Sequence, residues 1–114
     1  IRQNSGIYFK NRPPNNVMFS NSTGTVIDCV IDGDPEPEIQ WLNLITNQNV
    51  VDDELVKQYS NGTLAFLSFN SSQYNSNVHS GAFRCLGRNT FGTIVSSPVR
   101  IHGVVKSPIV IEAY

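Results

Sequence analysis

Several features are scarce in this sequence, and each scarcity excludes a class of protein. Charged residues make up 15% of the 114 residues and the net charge is −1. Because Lys and Arg form no cluster, neither a nucleic acid backbone nor an anionic lipid surface is expected as a partner. The longest apolar runs, such as residues 109–111, are far shorter than the roughly 20 residues of a membrane-spanning helix. We therefore expect no direct membrane contact, and we expect any membrane anchor to lie outside this chain. The chain itself is expected to be either a mature product or a piece of a longer protein.

Residues that could carry catalysis or bind a metal are also few and badly placed for either task. His79 and His102 have no acidic or cysteine partner in a suitable pattern, so we expect them to be solvent-exposed or to cap local structure. Residues 52–54 are acidic, as a solvated loop often is. Residues 32–36 place carboxylates at alternate positions, but prolines interrupt them and no bidentate Glu follows at the spacing of a calcium loop. We predict no enzyme, no cofactor and no metal site.

The pattern of apolar residues predicts an all-β chain. Apolar and polar residues alternate in short runs that Asn, Gly, Pro and Ser separate, and no stretch keeps a 3.6-residue period. The predicted strands cover residues 6–10, 16–19, 24–31, 38–42, 56–59, 63–69, 80–88 and 93–102. Residues 43–49 are predicted as a polar loop or a weak strand, and Asn61-Gly62 as the tip of a two-residue hairpin. This spacing favours a sandwich of two antiparallel sheets.

The chain length allows one domain and excludes two. We assign residues 1–102 to this domain. Residues 103–114 have their own apolar alternation after Pro108 and no partner strand left for it. They are predicted to be a linker and the start of a following domain, with a swapped or repacked terminal strand as the alternative.

Two cysteines and three glycosylation motifs indicate the compartment. Cys29 and Cys85 stand 56 positions apart, which fits neither a zinc knuckle nor a CxxC redox pair. A long-range disulfide is the natural interpretation, and two reduced core thiols are the alternative. Asn21, Asn61 and Asn70 each begin an Asn-x-Ser/Thr motif, so we predict a secreted glycoprotein with glycans on these three residues. All three lie in predicted turns, so the glycans leave both sheet faces bare.

The spacing of Cys29, Trp41 and Cys85 resembles that of an immunoglobulin domain, in which the indole packs against an inter-sheet disulfide. The run Ser80-Gly81-x-Phe83-x-Cys85-x-Gly87-x-Asn89-x-Phe91-Gly92 resembles the I-set fingerprint of adhesion and receptor domains. Two departures stand out, since Phe83 replaces the usual tyrosine of the tyrosine corner and His79 the usual aspartate. Without the phenol, the loop between strands E and F is expected to depend on packing alone.

At a finer level, the chain resembles the first immunoglobulin domain of the Dscam family, the Down syndrome cell adhesion molecules. The residues that carry this resemblance are Pro13-Pro14-Asn15, Phe19-Ser20-Asn21-Ser22-Thr23-Gly24, Gly33-x-Pro35-x-Pro37-Glu38-Ile39-x-Trp41 and Cys85-Leu86-x-Arg88-Asn89-x-Phe91-Gly92. The resemblance implies an extracellular position in a plasma-membrane protein, a following immunoglobulin domain, and recognition of identical copies. The short Dscam forms of chelicerates are the specific suspicion.

The predicted strands also suggest where a partner would bind. In the sandwich, an apolar patch with a few polar residues faces outward from strands B, D and E, and contiguous exposed apolar residues usually mark a contact. We predict an antiparallel homodimer between cells through this A-B-E-D sheet, at Val26, Asp28, Val30, Val56, Lys57, Gln58, Ala65 and Leu67. A one-residue register error would instead turn these side chains inward. The alternatives are a heterophilic receptor domain that uses Arg84 and Arg88 on the C-F-G sheet, and a structural spacer.

Overall fold

Between residues 6 and 106, which the computed structural model describes, the chain forms β-strands and two single-turn helices. The helices are a 3-10 turn at Ser71–Gln73 and α1 at Ser76–His79. In the lettering of immunoglobulin domains the strands are β1 (A, Gly6–Asn11), β2 (A′, Asn16–Ser20), β3 and β4 (B, Thr25–Asp28 and Val30–Asp34), β5 (C, Glu38–Asn43), β6 (C′, Gln48–Asn49), β7 (D, Val56–Gln58), β8 (E, Thr63–Phe66), β9 (F, Ala82–Asn89), and β10 and β11 (G, Gly92–Val95 and Val99–Val104).

The strands make two layers, so the predicted all-β sandwich is confirmed. One layer contains β1 paired with β4, and β3, β8 and β7 in that order, with β3 and β4 following one another across Cys29. The other layer has the order β2-β11-β9-β5-β6, with β10 also paired to β9. All pairs are antiparallel except β2 with β11, which is parallel. This exception follows from Pro13 and Pro14, because they cannot donate to a ladder and end the first edge strand before the chain joins the other layer.

A disulfide between Cys29 and Cys85 joins the two layers at the centre of the core. Trp41 lies opposite Cys85 in the β5–β9 register, and all three side chains are fully buried. The indole Nε1–H donates to the main-chain oxygen of Gly62 at 3.0 Å, and the N–H of Cys29 donates to the same oxygen at 3.1 Å. The turn between β7 and β8 is therefore tied directly to the core of the sandwich.

That turn differs from the predicted two-residue hairpin. Tyr59 and Thr63 close it through the N–H of Tyr59 and the oxygen of Thr63 at 2.9 Å, so the loop has three residues. Of these only Gly62 has a positive φ, +102°, and a Cβ there would lie 1.9 Å from the oxygen of Cys29. A glycine in the last position is the usual solution for a three-residue hairpin loop, whereas a two-residue type I′ turn needs positive φ at both central residues.

Three predicted strand limits also need correction. Strand E ends at Phe66 rather than at residue 69, and strand G is interrupted at residues 96–98, where Ser96 Oγ accepts the N–H of Cys85 at 3.0 Å. Strand G also extends to Val104, beyond the predicted domain end at residue 102, and the N–H of Lys106 still bonds to Asn21 Oδ1 at 2.9 Å. The prediction for residues 107–114 lies outside the described residues.

Candidate recognition surface

The outer face of β3, β8 and β7 presents an apolar centre to solvent. Leu64 and Phe66 belong to the core, so the alternation of β8 turns Ala65 outward between them. In register with Ala65 lie Val26 on β3 and Lys57 on β7. Val26 is 62% exposed, whereas Ala65 is 6% exposed because its short side chain forms the floor between larger neighbours. Half-buried Leu67 continues this floor, and the three apolar residues line one shallow groove.

Two of the predicted interface residues face the core, and this part of the prediction is wrong. Val56 is 4% exposed and belongs to the core cluster. Gln58 Oε1 accepts the N–H of Trp41 at 3.1 Å and its Nε2 donates to the oxygen of Val50 at 2.8 Å, so this side chain bridges the two layers. Val56, Lys57 and Gln58 are consecutive residues of strand D, and successive side chains of a strand point to opposite faces, so only Lys57 points outward.

The other predicted interface residues on strand B lie on the outer face with different exposure. Asp28 is exposed, and its Oδ1 accepts a hydrogen bond from Thr63 Oγ1 at 2.8 Å. Val30 is half-buried on β4. The apolar centre is therefore smaller than predicted and consists of Val26, Ala65 and Leu67.

Two tyrosines that were not among the predicted interface residues also lie on this layer. Tyr59 is 52% exposed directly after β7, and the alternation from Lys57 would have placed it on the outer face. Tyr8 on β1 is 41% exposed, and its hydroxyl donates to Asp32 Oδ2 at 3.4 Å. Both residues offer amphipathic contact area of the type that is common at interfaces.

The opposite layer presents the alternative surface. Arg84, Leu86 and Arg88 alternate outward along β9, and Glu38 on β5 lies opposite Arg88. Arg88 Nε donates to Thr93 Oγ1 at 3.4 Å. The guanidinium of Arg84 is partly covered, and its Nε has no hydrogen-bond partner. This face therefore has more positive charge than the A-B-E-D face.

The corner between strands E and F is not held by packing alone, contrary to expectation. His79 is fully buried rather than solvent-exposed, and its Nδ1 accepts the N–H of Asn75 at 2.9 Å, which is the predicted capping role. Asn43 Nδ2 donates to the oxygen of Asn77 at 2.9 Å, so strand C also holds this loop. The imidazole stacks on Phe69 with ring centres 3.7 Å apart. His102 is exposed, as expected.

The glycosylation motifs lie in turns, but one of them is not accessible. Asn61 and Asn70 are exposed. Asn21 is 9% exposed, its Nδ2 donates to the oxygen of Phe69 at 3.0 Å, and its Oδ1 accepts the N–H of Lys106. A glycan on this nitrogen would have to leave a buried, hydrogen-bonded position. We therefore do not expect a glycan on Asn21, and glycans on Asn61 and Asn70 remain predictions.

Within residues 6–106, no group of three or more His, Cys, Asp or Glu side chains is arranged to hold a metal ion. The two helices of this part of the chain are single turns, far too short to cross a membrane.

Known proteins resemble this chain in sequence and in fold. No protein-family model matches the chain. Cell adhesion molecule Dscam1 of Drosophila melanogaster is 39% identical over 102 residues, and human cell adhesion molecule DSCAML1 is 31% identical over 105 residues. These matches cover 88% and 91% of the chain and 5% of each relative. The crystal structure of the N-terminal four immunoglobulin domains of Dscam1 isoform 4.44 superposes with a TM-score of 0.85 and 39% identity, over 90% of this chain and 26% of that one.

The chain is homologous to immunoglobulin domains of Dscam cell adhesion molecules. A further Dscam structure, which concerns the basis of isoform specificity, matches 92% of the chain at 38% identity with a TM-score of 0.83. The relatives are cell adhesion molecules, which is a non-enzymatic family. The chain spans about one twentieth of the length of the curated relatives it matches.

Proposed function

We propose that this domain is an extracellular recognition module that binds an identical copy of itself through the outer face of the A-B-E-D layer. In this proposal the domain belongs to the ectodomain of a plasma-membrane protein, is followed by a second immunoglobulin domain, and joins opposed cells as an antiparallel homodimer. One observation carries the proposal: on the outer face of this layer Val26 is 62% exposed and lines one groove with half-buried Leu67 and with Ala65, which forms the floor of the groove.

The composition of this face suits contact with a second copy. In a twofold interface each residue meets its own copy or a symmetry-exchanged partner, so the same surface must be compatible with itself. The apolar centre meets this condition without charge repulsion. Exposed Asp28 on β3 and Lys57 on β7 lie on either side of β8, and exposed Glu54 lines the groove, so the face offers two acids and one base to a second copy.

Charge at the centre of this face should abolish the dimer. Leu67→Asp places two carboxylates in the contact without partners, which costs several kcal/mol in a dimer whose total binding free energy is about 6 to 8 kcal/mol. Because Leu67 is half-buried, Val26→Asp at a 62% exposed position is a second variant that the fold tolerates more easily. Sedimentation velocity at tens of micromolar should show a dimer for the unchanged chain and monomers for both variants.

The matched control is Arg84→Asp on the opposite layer, which should leave the dimer intact. A dimer that survives Leu67→Asp and Val26→Asp but is lost with Arg84→Asp would move the contact to the C-F-G layer. An unchanged chain that stays monomeric at these concentrations would contradict the proposal and favour a heterophilic receptor domain or a spacer.

A further inference from the structure

A hollow of about 480 Å³ opens on the other layer, between β2, β11 and the turn that follows β5. Met18 and Ile45 line it with side chains that are 73% and 55% exposed. Arg100 and His102 line it from β11, where exposed residues alternate with buried ones. None of its ten lining residues is Asp or Glu. The hollow therefore combines apolar surface with positive charge, which suits an apolar side chain that has a carboxylate beside it.

A segment with this composition protrudes from the same chain. Residues Val51, Asp52, Asp53 and Glu54, here called the acidic loop, are all exposed, and Val51 at 75% has the most exposed large apolar side chain of the described residues. Asp53 Oδ1 accepts two main-chain N–H groups at 2.7 and 3.0 Å, and Asp52 Oδ1 accepts one at 2.9 Å. These bonds hold the loop in one shape, so little conformational entropy is lost when it binds.

We propose that the acidic loop of one copy binds in the hollow of a second copy of this chain. Val51 contacts Met18 and Ile45, and the carboxylate of Asp52 lies beside Arg100. The observations that select a second copy are the charge complementarity and the exposure. The two most exposed large apolar side chains of residues 6–106, Val51 and Met18, lie on the two complementary surfaces of one chain.

This contact differs in kind from the twofold contact of the proposed function. The loop and the hollow are different patches, so the interface is heterologous, and each bound copy still has one free loop or one free hollow. Such a contact links copies side by side in rings or rows. The hollow lies on the other layer, so the copy that supplies the hollow keeps the outer face of β3, β8 and β7 free, whereas on the copy that supplies the loop Glu54 also lines the groove of that face.

The test uses variants of the 114-residue chain that keep the loop folded. The hollow variant is Arg100→Glu. The loop variant is Val51→Ser with Asp52→Asn, because asparagine keeps the Oδ1 acceptor of Asp52. Asp53 is left unchanged because it holds the loop, and Glu54 is left unchanged because it also lines the groove on the A-B-E-D face. The matched control is Arg88→Glu, which makes the same charge change on the same layer outside the hollow. Every chain also carries Leu67→Asp, and sedimentation velocity is measured in 50 and 500 mM NaCl.

In 50 mM NaCl the Leu67→Asp chain, which is monomeric at tens of micromolar, should associate at hundreds of micromolar. The hollow variant and the loop variant should each associate at least tenfold more weakly than this chain, and Arg88→Glu should match it. An equimolar mixture of the two variants should form a heterodimer, because one supplies an intact loop and the other an intact hollow. In 500 mM NaCl the association should weaken several-fold. No association of the Leu67→Asp chain up to 500 µM, no recovery in the mixture, or a loss with only one of the two variants would overturn the proposal. The hollow and loop variants could behave as expected while Leu67→Asp leaves the twofold dimer intact. That outcome would contradict only the proposed function.

Discussion

His79 is a buried titratable side chain in an apolar setting. Its Nδ1 accepts the N–H of Asn75, so the proton of the neutral ring is on Nε2, which has no hydrogen-bond partner. The ring lies between aromatic neighbours, stacked on Phe69 with Tyr74 at 5.5 Å between ring centres. Burial lowers the pKa of His79 below its usual value of 6.5, and Asp53 opposes this shift with its negative charge.

The pKa shift of His79 predicts a loss of stability in mild acid. Between the lowered pKa of the folded chain and 6.5, the unfolded chain binds more protons at this histidine than the folded chain does, so the free energy of unfolding decreases as the pH falls through 6.5. One such group contributes a slope of at most about 1.4 kcal/mol per pH unit. Urea unfolding between pH 7.5 and 5 should show a steeper loss for the unchanged chain than for His79→Phe. Equal slopes would contradict this prediction, and exposed His102→Phe serves as the control that should keep the unchanged slope.

The structural role of some single residues could be predicted from the sequence, but the surroundings of others could not. Cys29, Trp41 and Cys85 were recognisable because their spacing reports a fixed geometry of two sheets and one bond. The burial of His79 was not, because it depends on Phe69, ten residues away, and on a helical turn within a segment that was expected to be an irregular loop. A lone histidine carries no signal in the sequence that separates an exposed ring from one that stacks in a core.

At the scale of elements, Asn21 joins three segments that are distant in sequence. Its main-chain N–H donates to the oxygen of Val104 at 2.9 Å, and its main-chain oxygen accepts the N–H of Phe69 at 2.9 Å. Its side chain makes one further hydrogen bond to each of these two segments: Nδ2 donates to the oxygen of Phe69, and Oδ1 accepts the N–H of Lys106. The turn between β2 and β3 is thereby fastened to the end of β11 and to the segment after β8.

Removal of this side chain should destabilise the domain without changing its fold. Asn21→Ala leaves the buried oxygen of Phe69 without its side-chain donor, and we expect a loss of about 1 to 3 kcal/mol. Urea unfolding at pH 7.5 measures the difference. The matched control is Asn77→Ala, which removes an exposed asparagine side chain from the loop between strands E and F and should cost less than about 0.5 kcal/mol. Equal effects of the two substitutions would show that the hydrogen bonds of the Asn21 side chain do not stabilise the domain.

Strand existence was predictable and strand register only in part. Clean alternation located strands B, C and F, since one face of each is buried. Strand D has only three residues, β7, and the prediction assigned its consecutive side chains to the same face. The inward turn of Gln58 depends on acceptors and donors on the opposite layer, at Trp41 and Val50, which no local pattern contains.

At the scale of the whole molecule, the sequence predicted the two-sheet sandwich and the location of the turns at its two ends. It predicted the layer that carries the candidate surface, but only some of the residues on that surface. The exposed apolar area of a sheet face depends on how much of each outward side chain its neighbours cover. Ala65 and Val26 lie in one row, yet their exposed fractions are 6% and 62%. Such differences arise from side-chain size across three strands, which strand periodicity does not encode.

The exposed glycosylation motifs lie at opposite ends of the sandwich, and this arrangement predicts which of them carry glycans. Asn61 lies in the turn before β8 and Asn70 follows after it, so both are on loops rather than on a sheet face. Attachment to Asn21 would compete with its buried hydrogen bonds and would be selected against as the domain folds. Peptide mapping of the protein secreted from animal cells should find glycans on Asn61 and Asn70 and an unmodified Asn21. Substantial occupancy of Asn21 in folded protein would contradict its role as a fastening point, and a product without any glycan would remove the support that these motifs give to an extracellular position. Glycans at the two ends leave the face of Val26 and Leu67 free, as contact with a second copy through that face requires.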